Sequence, residues 1–292
     1  MKTPMFVDVN GVRTRYFSAG DGEPVVLVHG GHYGLRSSAV DWELNFDRLA
    51  ETNKVIAFDK LGMGFTDNPE RLEDYTIESN TAHLVGMLDA LGLERAHLVG
   101  HSRGGYPVTR LSIDHPERVY TLTVVSSSSV TNPFNPIYAT WRERAATMEE
   151  RAGVRYLIEA NSYAGAHITD TFVDAGVEIG RLEKTATAAG IMADGQYDRF
   201  KADLLVRVEA VKSDITAGRL TVPTLIMWGF NDPSATMERC GKPAIDLFFP
   251  SVELCEMHIL NHAGHYCFRE QPEAFNDTLL AFYARARRAV GV

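Results

Sequence analysis

The chain has 292 residues, with 29 Lys+Arg against 38 Asp+Glu, a net charge of −9 and 45% hydrophobic residues. That length buries a sizeable core without disulfide or metal staples, and the composition excludes a disordered or low-complexity protein. The acidic balance argues against nucleic-acid or anionic-membrane partners, since both rest on Lys and Arg neutralising phosphate.

Met1–Tyr16 run directly into an alternating strand pattern without the apolar stretch of a signal peptide, and no apolar run approaches the ~20 residues of a membrane span. The expectation is a cytoplasmic enzyme or binding domain. Residues 5–17 alternate around Asn10-Gly11, which predicts a two-residue hairpin. Short β-branched runs then recur at 25–29, 54–59, 96–101, 119–126, 223–229 and 252–259, and suit parallel strands buried on both faces. Between them lie helical stripes such as Ile77, Leu84, Leu88 and Leu91, or Phe275, Leu279 and Phe282. Strand alternating with helix predicts an α/β, mostly parallel, doubly wound sheet with right-handed crossovers.

Residues 131–219 break this rhythm. No strand run appears there, and Leu204, Leu205, Val208, Val211 and Ile215 form a helical stripe. The reading is a helical cap at 131–219 inserted into a core of 1–130 and 220–292, above the carboxyl ends of the strands where such sheets bind ligands. Cys240, Cys255 and Cys267 lack CxxC or finger spacing and read as small apolar fillers of a reduced interior. Neither a metal nor a cofactor is expected, and homo-oligomerisation is left open.

Gly100-His101-Ser102-Arg103-Gly104 follows the 96–101 strand and precedes a helix predicted over 103–115. This is G-x-S-x-G where a tight strand-to-helix turn exposes a strained serine on a helix N-terminus. A serine hydroxyl needs a base and a carboxylate to orient that base, in the chain order Ser, Asp/Glu, His. Asp232 follows the 223–229 strand and His265 follows the last one, so Ser102, Asp232 and His265 are the expected catalytic residues. His262 is the rival base, set aside because Gly264 lets the loop bring His265 close to the serine. Asp59 precedes the serine and reads as a turn residue, with Lys60-Leu61-Gly62 leading away; His258 reads as a packed strand histidine. The expected oxyanion donors are the backbone N–H groups of Arg103 and of Gly31, in the glycine-rich loop His29–Gly34. Gly30 and His32 of that loop are expected to border the substrate.

With these motifs the chain resembles the α/β-hydrolase superfamily over nearly its whole length. The resemblance rests on HGG (29–31), FDKLGMGFTDNP (58–69), GHSRGG (100–105), WGFNDP (228–233) and NHAGHYCFREQPEAF (261–275). It implies a helical cap after the sixth strand, and a serine at the elbow excludes the branches that place aspartate there. Within the superfamily the chain looks most like the meta-cleavage-product hydrolases, which split a C–C bond in ring-opened aromatic catabolites. His29-Gly30-Gly31 with Gly34, Gly62–Asp67 and Leu88–Gly100 carry that likeness. The family often has asparagine where His101 stands and tryptophan where Tyr266 stands, so both are expected at the substrate. Its cap arginine for a substrate carboxylate has Arg181 and Arg199 as candidates. The resemblance implies a serine hydrolase acting on a small vinylogous diketone of the 2-hydroxy-6-oxo-dienoate type. A carboxylesterase or lactonase is the alternative; a cofactor-free oxygenase, a perhydrolase or a ligand receptor are further readings of the same fold.

Overall fold

Asn10 and Gly11 both take positive φ, 54° and 89°, and turn strand β1 (Met5–Val9) back into β2 (Val12–Ala19) with Val9 opposite Val12. That is the backbone the Asn-Gly pair prefers. The computed structural model describes residues 3–290. Beyond the hairpin follow β3 (Pro24–Val28), β4 (Lys54–Phe58), β5 (Ala96–His101), β6 (Val119–Val125), β7 (Thr224–Gly229) and β8 (Cys255–Leu260). They form one sheet in the order β1-β2-β4-β3-β5-β6-β7-β8, and only the pairings made by β2 are antiparallel.

The helices are α1 (Glu43–Leu49), α2 (Ile77–Ala90), α3 (Gly105–Asp114), α4 (Ile137–Ala145), α5 (Glu150–Ala160), α6 (Asp170–Arg181), α7 (Glu183–Ile191), α8 (Tyr197–Thr216), α9 (Lys242–Phe248), α10 (Cys267–Glu270) and α11 (Pro272–Val290). Alternate strand residues serve opposite faces. Val26, Val28, Leu98, Leu122 and Ile226 pack towards α2, α3, α8 and α9, while Val25, Leu27, Val99, Val125 and Leu225 pack towards α1 and α11. Both faces are covered, which is why these strands read as continuous apolar runs.

Five helices, α4 to α8, fill the interval between β6 and β7. They do not all stand apart from the core. Leu204, Val208, Val211 and Ile215 of α8 join the main apolar cluster beside α2 and α3, whereas Leu205, expected in the same stripe, is 49% exposed. A smaller cluster of Val154, Ile158, Ile168, Phe172, Val173 and Val177 holds α5 to α6. His258 is another departure: it is exposed, because β8 is an edge strand with one open side. Cys240 and Cys267 are buried, Cys255 is half-buried, and all three are free thiols.

Candidate active site

Ser102 opens the short 3-10 turn (Ser102–Gly104) that leads from β5 into α3, with φ of +52°. A non-glycine residue there is strained by about 1–3 kcal/mol and persists only where its surroundings hold it. Here they do. A Cβ on Gly100 would lie 2.4 Å from the Gly104 carbonyl oxygen, and one on Gly104 would lie 2.5 Å from the Val28 oxygen. Ser127 Oγ–H donates to the Ser102 carbonyl at 2.6 Å, and that same hydroxyl occupies the space a Gly105 side chain would need.

The hydroxyl of Ser102 lies 3.0 Å from His265 Nε2, and His265 Nδ1 lies 2.7 Å from Asp232 Oδ2. A carboxylate only accepts, so Nδ1 carries the proton and Nε2 is left to accept from the serine. Asp232 is fixed in turn: its Oδ1 accepts from the Ser234 and Ala235 N–H groups at 2.9 and 2.7 Å and from Ser234 Oγ at 3.0 Å. The rival His262 is exposed, stacked on Tyr163 with centroids 5.4 Å apart. Gly264 is small for a different reason than expected: a Cβ there would meet the backbone of Ser162 and Tyr163 at 2.5–2.7 Å. The glycine admits the segment after α5, whose Asn161 carbonyl accepts the His265 N–H at 3.0 Å.

The Gly30–Gly31 peptide stands over the serine. A Cβ on Gly30 would lie 3.0 Å from Ser102 Cβ, and Gly31 has φ of +73°. His29 orients this peptide. Its Nε2 accepts the Lys60 N–H at 3.1 Å, so its Nδ1–H donates to the Gly30 carbonyl at 2.8 Å. In a trans peptide N–H and C=O point opposite ways, so pinning the Gly30 oxygen aims the Gly31 N–H. Burial, with Lys60 and Arg15 nearby, holds His29 well below its ordinary pKa and therefore neutral. Lys60, expected to lead away, instead buries its ammonium against the Gly31 carbonyl at 2.8 Å. Neither the Gly31 nor the Arg103 N–H finds an acceptor among the described residues.

Other expected contacts fall elsewhere. His101 is buried behind the serine: its Nε2–H donates to the His265 carbonyl at 3.0 Å, and its ring lies 4.7 Å from that of His265. It backs the His265 loop and does not border open space; burial keeps it neutral. Tyr266 packs edge-on to Phe172 of α6 at 5.7 Å and near His101 at 5.5 Å, joining the loop of His265 to the inserted helices. The His32 ring packs at a tilt against those of Tyr197 and Phe200, and burial followed by the Arg103 charge brings its pKa down to about 3. It lines a cavity of about 380 Å³ together with Tyr33, Arg142, Met192 and Tyr197.

Arg181 and Arg199 do not reach the site. The Arg181 side chain is 69% exposed and paired with Glu150 at 2.9 Å, because it ends α6 on the solvent side. Arg199 is exposed on the outer face of α8. Asp59 is structural, as expected: Arg15 at 2.7 Å and the N–H groups of Ala39 and Phe65, both at 2.8 Å, occupy its oxygens. Sequence reasoning missed His29, Lys60 and Ser127. Each stands beside a motif, but only the fold shows which peptide it holds.

A serine on a strained elbow, bonded to a histidine that a later aspartate orients, is an arrangement that can serve as nucleophile and base. The family model for the alpha/beta hydrolase fold matches residues 23–272. The chain belongs to the α/β-hydrolase family. It is an enzyme of the hydrolase kind, and it is similar to the meta-cleavage-product hydrolases. A 2-hydroxy-6-oxo-6-(2'-aminophenyl)hexa-2,4-dienoic acid hydrolase of Metapseudomonas resinovorans is 30% identical, over 96% of this chain and 90% of its own. A 2-hydroxy-6-oxo-2,4-heptadienoate hydrolase of Pseudomonas putida is also 30% identical, over 93% of this chain and 94% of its own. Among solved structures, CarC, a serine hydrolase involved in carbazole degradation, superposes with a TM-score of 0.75 at 26% identity over 97% of this chain and 98% of its own. No helix among the described residues is long and apolar enough to cross a membrane.

Proposed function

We propose that this α/β-hydrolase is a cytoplasmic serine hydrolase that cleaves a C–C bond in a 2-hydroxy-6-oxo-dienoate or similar vinylogous diketone. The observation that carries the reading is the Ser102–His265–Asp232 hydrogen-bonded chain, in a protein that aligns over nearly its full length with dienoate hydrolases. In this reading His265 first moves a proton that ketonises the dienol. Its free Nε2 then takes a proton from Ser102 Oγ, or from a water, as that oxygen attacks the distal ketone. Asp232 holds the imidazole in the accepting tautomer and stabilises the imidazolium that forms. The Gly31 and Arg103 N–H groups receive the negative charge that develops on the ketone oxygen. As that oxyanion collapses the C–C bond breaks, and the dienoate fragment leaves as a carbanion that takes the proton held by His265. Where the serine was the nucleophile, water deprotonated by His265 releases the acyl group. Helices α4–α7, with the segment after α5, act as the cap that closes over these groups, while α8 is shared with the core.

The test is a spectrophotometric assay with a ring-fission dienolate. Its yellow colour is expected to bleach with the wild type. Ser102→Ala and His265→Ala are expected to lose about 10³-fold or more in rate. Persistence of the colour while simple esters are hydrolysed makes the protein a carboxylesterase instead, and full activity in either variant removes the residue assignment.

A further inference from the structure

We propose that Glu270 is a positioning residue for His265: its carboxylate bridges the histidine loop to the inserted segment beside it, so that neither moves without the other. This role deepens the hydrolase reading and rests on His265 acting as its base. Two lengths of chain far apart in sequence lie against each other here, the loop 261–266 after β8 and the segment 161–164 after α5. Their backbones meet so closely that a Cβ on Gly264 would lie 2.5 Å from the Tyr163 nitrogen. One backbone bond joins them, from the His265 N–H to the Asn161 carbonyl at 3.0 Å.

Three further N–H groups at this junction, those of Gly264, Tyr163 and Ala164, find no carbonyl among the described residues. The half-buried Glu270 takes all three. Its Oε1 accepts from Gly264 at 2.7 Å, and its Oε2 accepts from Tyr163 and Ala164, both at 2.9 Å. Each oxygen therefore serves one side of the junction. A carboxylate only accepts, so it can face donors on both sides at once. An amide in its place has a single oxygen, and whichever side that oxygen serves, the NH₂ group is set against an N–H on the other. The preceding Arg269 fastens the same segment further along. Its Nη2 donates to the His167 carbonyl at 3.0 Å and to Glu43 Oε1 at 2.8 Å, and that oxygen also accepts from the Thr169 hydroxyl.

The consequence falls on the base. The Gly264 N–H held by Glu270 fixes one peptide, and the His265 N–H held by Asn161 fixes the next. With two successive peptides pinned, His265 keeps only its side-chain torsions, and the bond to Asp232 at 2.7 Å sets those. Glu270 thus determines the backbone from which Nε2 reaches Ser102 Oγ at 3.0 Å. Misplacing a reacting group by an ångström costs up to about 10²-fold in rate, even when the change is remote from the chemistry. The same carboxylate holds the 161–164 segment in place as a fixed border of the site.

The test compares Glu270→Gln with the wild type on a ring-fission dienolate and on p-nitrophenyl acetate, two reactions that both need His265. In Glu270→Gln kcat is expected to fall about 10-fold on whichever substrate the wild type accepts, with KM moving less than about threefold. Gln is nearly the size of Glu, so a side chain that merely fills space would leave kcat unchanged. Glu273→Gln, the same charge change at an exposed position in the first turn of α11, should leave kcat unchanged. Amide hydrogen exchange read by mass spectrometry is the second measurement. Peptides covering 161–166 and 262–268 should exchange about 10-fold faster in Glu270→Gln, while those of β5 and β6 keep the wild-type rate. If neither substrate is cleaved the hydrolase reading fails, while exchange, which needs no turnover, still decides whether the bridge exists. The proposal is overturned if Glu270→Gln keeps the wild-type kcat, or if either segment keeps its wild-type exchange.

Discussion

His29 Nδ1 lies 2.8 Å from the carbonyl oxygen of Gly30, and that single bond sets the direction of the next N–H in the chain. The imidazole is held in the required tautomer because its other nitrogen accepts from the Lys60 backbone. His29→Phe keeps a planar ring but frees the peptide to rotate. The expected outcome is a fall in kcat of about 10- to 100-fold with a smaller change in KM, somewhat less than deleting an oxyanion donor outright. Steady-state kinetics on a ring-fission dienolate check it; a change confined to KM would assign His29 to ground-state binding.

His101 does for His265 what His29 does for the glycine loop. His101→Phe removes the N–H that satisfies the His265 carbonyl while leaving a ring to pack against Phe268, 4.8 Å away. An orphaned buried carbonyl costs about 1–3 kcal/mol. The expected result is a roughly tenfold lower kcat and a melting temperature lower by a few degrees, read by kinetics and calorimetry together.

At the elbow the constraint is steric. Gly104→Ala places a Cβ 2.5 Å from the Val28 carbonyl, and backbone cannot give way as a flexible side chain can. A loss of about 1–3 kcal/mol or more in urea unfolding is expected, with Ser102 displaced and activity lost. Gly190→Ala, on an open face of α7 with nothing within 4 Å, is the control and should be neutral or slightly stabilising.

Asp41 supplies a pH dependence of stability. Burial raises its carboxyl from the ordinary range to about 7, against the lowering effects of the Ser38 N–H and Arg269. Between about pH 4 and pH 7 the native state holds a proton there that the unfolded chain has released. The unfolded state therefore binds fewer protons, and stability falls as pH rises through that window. The ceiling is about 4 kcal/mol at 1.36 kcal/mol per unit. Melting curves of wild type and Asp41→Asn at pH 4.5 and 7.5 check it: the variant should lose less stability over the interval, since its amide does not titrate.

Much of this protein is legible along the chain. Asn10-Gly11 dictates a hairpin through φ, and the β-branched runs dictate a sheet buried on both faces. The spacing of Gly100, Ser102 and Gly104 dictates a strained elbow, because each of these is a local steric or periodic constraint. Chain order alone puts Asp232 and His265 forward as partners for Ser102, and the fold brings the three within hydrogen-bond distance. What the tertiary structure decided is which groups face one another across long separations. The periodicity of 204–215 is the same whether α8 packs on a cap or, as it does, against α3. An arginine in a cap carries the same charge whether it points inward or, like Arg181, pairs with Glu150 in solvent. Lys60 reads as a loop residue until β3 and β4 lie side by side and bring its ammonium to Gly31. Backbone preference is written residue by residue; the pairing of buried charges depends on distance in three dimensions, and only the fold supplies it.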